Sequence, residues 1–291
     1  MEKINPKTGI YPGCSLEGTA ASFEISLEKV LNALDVDFSV MKDWNCCGAT
    51  SAHAMDHSLY LALTTRTLDR AEKQGYENLI APCAACYNRL ANANMKLTSG
   101  DDLRTQVNEE TGLDYHGTVR VVNVLDYLLN TVGLEKIAQA VVRPLDDLKI
   151  VCYYGCLNTR VPRYESFDDV ENPTSMDRIL RAVGAVTSDW SYKTDCCGAS
   201  LFVTAEKVAT RLSSKILKDA VARGADCIAV ACPMCQNNLD TLQKDMIAEY
   251  GIPKPMPILF VTQLMGLAFG MSGKEMKLNH SFIPFALPEK I

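Results

Sequence analysis

The chain has 291 residues, 47% hydrophobic and 22% charged, with 12 cysteines and a formal net charge of −6. That length allows two cores of ordinary size, and the acidic balance disfavours a general nucleic-acid binder. No run of eighteen apolar residues occurs and the N-terminus lacks an apolar leader core, so neither a membrane span nor a secretory signal is expected.

Lys7 to Tyr11 reads as a short strand, and Pro12-Gly13 turns the chain so that Cys14 sits at its C-terminal end. A helix is expected from Leu16 to Leu34, with Phe23, Leu27, Val30, Leu31 and Leu34 on one face. Val36 to Met41 alternates like a strand and leads to Cys46-Cys47-Gly48. A long helix is expected over Ala49 to Gln74, stopped by Gly75. Asn78 to Ala81 is a buried strand delivering Cys83-Ala-Ala-Cys86, with helix from Tyr87 to Leu97. Ser99 to His116 reads as a polar surface insertion, followed by a strand at Val119 to Val122 and a helix at Val124 to Val132. Pro144 and the paired aspartates mark a linker.

The plan then repeats. Strands are expected at Lys149 to Tyr154, Ala185 to Trp190, Asp226 to Ala231 and Ile258 to Val261. Helices are expected at Pro173 to Val183, after Gly198 to Arg223, over Gln236 to Tyr250, and from Thr262. Tyr-Pro-Gly-Cys14 matches Tyr-Tyr-Gly-Cys156, Cys-Cys-Gly-Ala occurs twice, and Cys83-x-x-Cys86-x-Asn88 matches Cys232-x-x-Cys235-x-Asn237. The fold expected is α/β: two parallel α/β halves related by an approximate twofold, with the cysteines at the C-terminal strand ends. The boundaries expected are 1–143 and 144–271 for the halves, with 272–291 a tail whose Phe282 to Leu287 stretch is a candidate docking arm.

With no leader, the cytoplasm is the expected compartment, where cysteines in this spacing read as metal ligands or redox thiols rather than disulfides. Each half holds five. A CxxC plus CC would suffice for a four-thiolate zinc site, but this leaves Cys14 and Cys156 without a role. Adjacent cysteines are poorly placed to bind one iron together, yet they suit two different irons or a bridge. Gly48 and Gly198 are expected to let the backbone approach closely, and CxxC pairs at helix starts favour an anionic cluster.

These residues resemble the CCG-domain family of cysteine-rich proteins over essentially the whole chain, and within it the B subunits of methanogen heterodisulfide reductases. The resemblance implies two non-cubane [4Fe-4S] clusters facing one crevice. Cys14, Cys46, Cys47, Cys83 and Cys86 would hold the first, and Cys156, Cys196, Cys197, Cys232 and Cys235 the second. It implies catalysis by the clusters themselves, which split the mixed disulfide of coenzyme M and coenzyme B between them in methanogenesis. It also implies a ferredoxin-like C subunit, a flavin-containing, electron-bifurcating A subunit, and through them a hydrogenase or formate dehydrogenase. Two rivals stay open: a CCG electron-transfer subunit of a lactate-, glycolate- or succinate-oxidising complex linked to quinone, and a zinc-stabilised interaction protein.

Because that substrate is anionic, Arg89, Arg160, Arg163 and Lys193 are candidate substrate contacts. Cys152 and Cys227 fall outside the pattern and read as buried small hydrophobes. His53 and His57, spaced i, i+4, read as sharing a helix face with surface or supporting roles. Tyr11, Tyr153, Tyr154 and Trp44 are expected to line the crevice or shield it from water.

Overall fold

A computed structural model describes residues 7–49, 52–160 and 166–285. The first half runs β1 (Thr8–Ile10), α1 (Gly13–Leu16), α2 (Ala21–Ala33), β2 (Phe38–Val40), α3 (Ala52–Met55), α4 (His57–Lys73), β3 (Asn78–Ile80), α5 (Ala84–Ser99), α6 (Asp101–Thr111) and β4 (Arg120–Val122). After β4 come α7 (Val124–Asp126), which continues as a π-helix over Tyr127–Val132, and α8 (Leu134–Gln139). The second half runs β5 (Lys149–Tyr153), α9 (Ser175–Ala182), β6 (Val186–Ser188), a 3-10 turn (Ala199–Leu201), α10 (Glu206–Ala222), β7 (Cys227–Val230), α11 (Pro233–Thr241), α12 (Gln243–Tyr250), β8 (Ile258–Phe260) and α13 (Val261–Ala268).

Each half forms one four-stranded, wholly parallel sheet, in the orders β2-β1-β3-β4 and β6-β5-β7-β8. The registers correspond: Thr8 pairs Phe38 and Asn78 in the first sheet, and Ile150 pairs Thr187 and Cys227 in the second. Strand β7 is a fully buried apolar run, and β5 is buried from Ile150 onward, as parallel strands covered on both faces must be. Helix α2 buries the predicted face, Phe23, Leu27, Val30 and Leu31.

The halves pack reciprocally. Helix α2, which follows β1, lies on α13, which follows β8; α9, which follows β5, lies on α7 and its π-helical continuation, which follow β4. At the first contact the Phe23 and Phe260 rings stack at 4.2 Å, and Ser26 Oγ meets Thr262 Oγ1 at 2.6 Å. One apolar core therefore draws on both halves, from Ile10 to Leu278. This exchange of equivalent helices is the expected twofold.

Several elements depart from their predicted form. The helix expected from Leu16 is one turn around Cys14, a turn, and then α2. The helix expected over 49–74 breaks at Asp56, whose carboxylate accepts the Leu59 N–H and so caps a new helix, α4. A similar break at Leu242 separates α11 from α12. The polar stretch after Ser99 is surface-lying but helical, with aspartates in the first turn of α6 and Val107 its one buried residue. The tail folds back through Met276, which packs against Gly266, and Leu278, whereas Phe282 is 69% exposed.

Candidate metal centre

All ten patterned cysteines lie at the C-terminal ends of strands or in the loops and helix starts just beyond them. In each half Cys47 or Cys197 joins the two CxxC thiols in a buried floor, while Cys46 or Cys196 stays exposed. Cys14 is exposed and Cys156 half-buried.

Two features hold each set in place. Tyr11 donates its hydroxyl hydrogen bond to the Asn45 carbonyl at 2.7 Å, pinning the loop that enters Cys46. Tyr153 does the same to the Asp195 carbonyl at 2.5 Å, one residue before Cys196. Both tyrosines are buried against a tryptophan edge, Trp44 and Trp190. The sequence placed them near the crevice but did not reveal this role. Its signal was there, because Tyr11 and Tyr153 precede Gly-Cys at the same offset.

The second feature is backbone geometry. Gly48 and Gly198 have φ of +72° and +87°, and a Cβ at Gly198 would lie 2.8 Å from Ala209 Cα. The constraint at the CCG turn thus comes from the following helix. Close approach to sulfur occurs instead at Gly155 (φ +68°), where a Cβ would stand 3.0 Å from Cys235 Sγ.

The thiols are in mutual contact. Cys47 Sγ is 3.2 Å from Cys86 Sγ, and this hydrogen bond, with the Ala49 N–H, holds Cys47 below the ordinary thiol range. Cys197 is lowered in the same way by Cys235 and the Ala199 N–H. Cys196 is lowered to about 6, first by its hydrogen bond with Cys156, then by the Gly198 N–H and the Arg160 guanidinium. Cys83 and Cys232, at the N-caps of α5 and α11, interact with each other across the interface, which lowers Cys83. The two sets therefore converge on one place.

Ten patterned thiols, with Cys47, Cys83, Cys196 and Cys197 lowered first by hydrogen bonds from neighbouring thiols and then by backbone N–H groups, match the donor chemistry of thiolate-bound metal clusters. Among the described residues no group of three or more His, Cys, Asp or Glu side chains is placed to hold a metal ion. Cys152 and Cys227 are fully buried on the central strands, and burial raises both thiols.

The candidate cations divide. Arg160 is exposed beside Cys196, its carbonyl accepting the Asn88 side-chain amide at 3.1 Å. Arg89 is half-buried, and its Nε has no hydrogen-bond partner among the described residues. Lys193 is 4% exposed and engaged by Asp189 at 2.9 Å, the Asn172 side chain at 2.9 Å and the Pro173 carbonyl. Arg163 lies outside the described residues. His53 and His57 do not share a helix: they fall on α3 and α4, either side of Asp56. His53 meets the Gly48 carbonyl and His57 meets Lys96.

The cysteine-rich domain model named CCG matches this chain twice, over residues 8–91 and 150–240, and each match spans one whole five-cysteine set. The chain belongs to the CCG family. Each match covers the first three strands of one sheet. This CCG protein is 32% identical to the 8-methylmenaquinol:fumarate reductase membrane anchor subunit of Wolinella succinogenes, covering 94% of this chain and 95% of the relative. It is 30% identical to the B subunit of the ferredoxin/F(420)H(2)-dependent CoB-CoM heterodisulfide reductase of Methanosarcina acetivorans, covering 95% and 94%. A crystal structure of a hypothetical protein from Helicobacter pylori shares the fold, with TM-score 0.78 and 15% identity. It covers 97% of this chain, which spans about half (53%) of that one. Among the described residues no helix of this CCG protein is long and apolar enough to cross a membrane.

Proposed function

We propose that this chain is the disulfide-reducing iron–sulfur subunit of a multi-subunit oxidoreductase, with the mixed disulfide of coenzyme M and coenzyme B as its substrate. The observation that supports this most is that both five-thiol sets lie at the interface between the halves, where α1, which carries Cys14, packs on α11, which carries Cys235. In this reading each set holds one non-cubane [4Fe-4S] cluster, and the clusters supply the two electrons. The balance is R–S–S–R′ plus two electrons and two protons giving RSH and R′SH. The chain's own residues orient the disulfide, exclude water and place cations near its anions. Arg160 is the leading cation, being exposed beside Cys196 and free of any ion pair among the described residues; Arg89 is second. Lys193 is already paired within its own half. The reading includes a ferredoxin-like and a flavin-containing subunit, a hydrogenase or formate dehydrogenase behind them, and a cytoplasmic location.

A second reading has support from the quinol-linked fumarate reductase subunit at 32% identity. There the same two sets pass electrons between a quinone pool and a dicarboxylate-active partner. The two are separated by supplying the anaerobically prepared, iron-loaded protein with reduced viologen. Oxidation by the coenzyme M–coenzyme B disulfide with release of two thiols is expected; oxidation by a menaquinone analogue alone favours the second reading.

A further inference from the structure

A buried lysine braces the second set of cysteines from inside the protein. Lys193 stands three residues before Cys196, and its ammonium finds as many oxygen partners as it has protons. These are Asp189 Oδ1 at 2.9 Å, Asn172 Oδ1 at 2.9 Å and the Pro173 carbonyl at 3.1 Å. Behind them, at 3.9 Å, lies Asp177 Oδ2, which accepts the Tyr154 hydroxyl at 2.7 Å. The backbone carbonyl of the same lysine accepts the N–H groups of Tyr154 at 2.9 Å and Gly155 at 3.1 Å, the two residues that lead into Cys156. One residue thus ties the loop of Cys196 to the turn of Cys156 through its backbone, and anchors both to the start of α9 through its side chain. Helix α9 is itself fixed, with Met176, Ile179 and Leu180 in the core shared by the halves.

The first half is braced differently. Counting back from Cys46 puts Asp43 in the place of Lys193, and counting back from Cys14 puts Pro12 in the place of Tyr154. Proline has no N–H to offer. Asp43 pairs instead with Arg66 at 2.6 Å and Arg70 at 3.1 Å, both on α4. Its side chain is 58% exposed, so salt screens this brace far more than the buried one. The outer thiols differ in the same sense. Cys156 and Cys196 hydrogen-bond to one another, whereas Cys14 is exposed and takes its side-chain hydrogen bond from Ser15.

We propose that Lys193 is a positioning residue that holds the outer thiols of the second set at one separation, making that set the tightly held one and the first set the exchangeable one. This rests on the iron–sulfur part of the reading above and on no particular substrate. The two halves are then unequal in use although they are alike in fold.

The test follows iron release to a chelator from the iron-loaded full chain, with visible circular dichroism recorded on the same samples. Wild type should release its iron in two equal phases, the slow one from the second set. Lys193→Met keeps the length of the side chain and removes its charge. Asp189→Asn trims the brace at its 77% exposed end, a position that leaves folding intact. Lys193→Met should speed the slow phase about tenfold, the scale of one hydrogen bond to a charged group. Asp189→Asn should speed it in the same direction, and neither variant should move the fast phase. Raising the ionic strength should speed the fast phase alone, and Asp43→Asn should abolish that salt dependence. The iron–thiolate bands should change in Lys193→Met at unchanged iron content, a signature that a mere loss of fold stability would not move. A single phase in wild type overturns the assignment. So does wild-type slow release in both Lys193→Met and Asp189→Asn, or equal acceleration of both phases by Lys193→Met. A chain that takes up no iron overturns the iron–sulfur reading and this inference with it.

Discussion

Cys83 and Cys232 occupy equivalent positions in the two halves, each at the N-cap of the helix after a central strand, and their thiols interact across the interface. In the proposed reading the two sets of five each hold one cluster, and each cluster should depend on its own cysteines. Cys47→Ser is expected to lose about half of the bound iron, and Cys197→Ser the other half. Iron and sulfide assays on the two variants and their double check this; complete loss in either single variant would mean the centre cannot be divided.

The tyrosine struts give a second prediction. Tyr11→Phe or Tyr153→Phe leaves a loop carbonyl without its buried donor, which costs about 1–3 kcal/mol. Faster iron release to a chelator is expected from the set whose strut is removed, with the other set unaffected. Equal release rates in wild type and variants would remove the strut role.

Cys152 and Cys227 test the sorting of the twelve cysteines. Cys→Ser at either should leave iron content unchanged, because both thiols are sealed on central strands. Burying a hydroxyl there should lower stability by about 1–3 kcal/mol in denaturant unfolding. Loss of iron would show that the division into ten ligands and two core residues is wrong.

Much of this fold was legible because parallel strands announce themselves as short apolar runs, and each such run here ends at a cysteine, a turn or a helix start. The helix breaks were not. Asp56 looks like any polar residue in a helical period until its side chain caps Leu59, and Leu242 carries no breaker at all. The helix α6 was hidden by its polarity, since only Val107 is buried, although Asp101, Asp102 and the closing Gly112 were readable start and stop signals. The cysteine spacing was readable, whereas the tyrosine struts depend on contacts between residues far apart in sequence.

Packing between the halves is a fourth prediction. Phe23 stacks on Phe260 in the shared core, so Phe23→Ala should cost about 3–5 kcal/mol. Because the larger core spans both halves, unfolding should remain one transition by fluorescence and circular dichroism. Two separated transitions in wild type would show instead that the halves fold independently.

Gly155 gives a fifth. Its φ is +68° and a Cβ would stand 3.0 Å from Cys235 Sγ, so Gly155→Ala should disturb the second set. Gly224→Ala shares the backbone strain (φ +69°) with open space around it, and should cost about 1–2 kcal/mol while leaving iron untouched. Matching iron loss in both variants would make strain, not proximity to sulfur, the cause.

The most direct measurement is metal and sulfide analysis of the protein purified without oxygen. Two four-iron clusters require about eight irons per chain, an equal amount of acid-labile sulfide, and a brown colour. A colourless protein with about two zinc ions per chain and no sulfide would contradict the account at its centre.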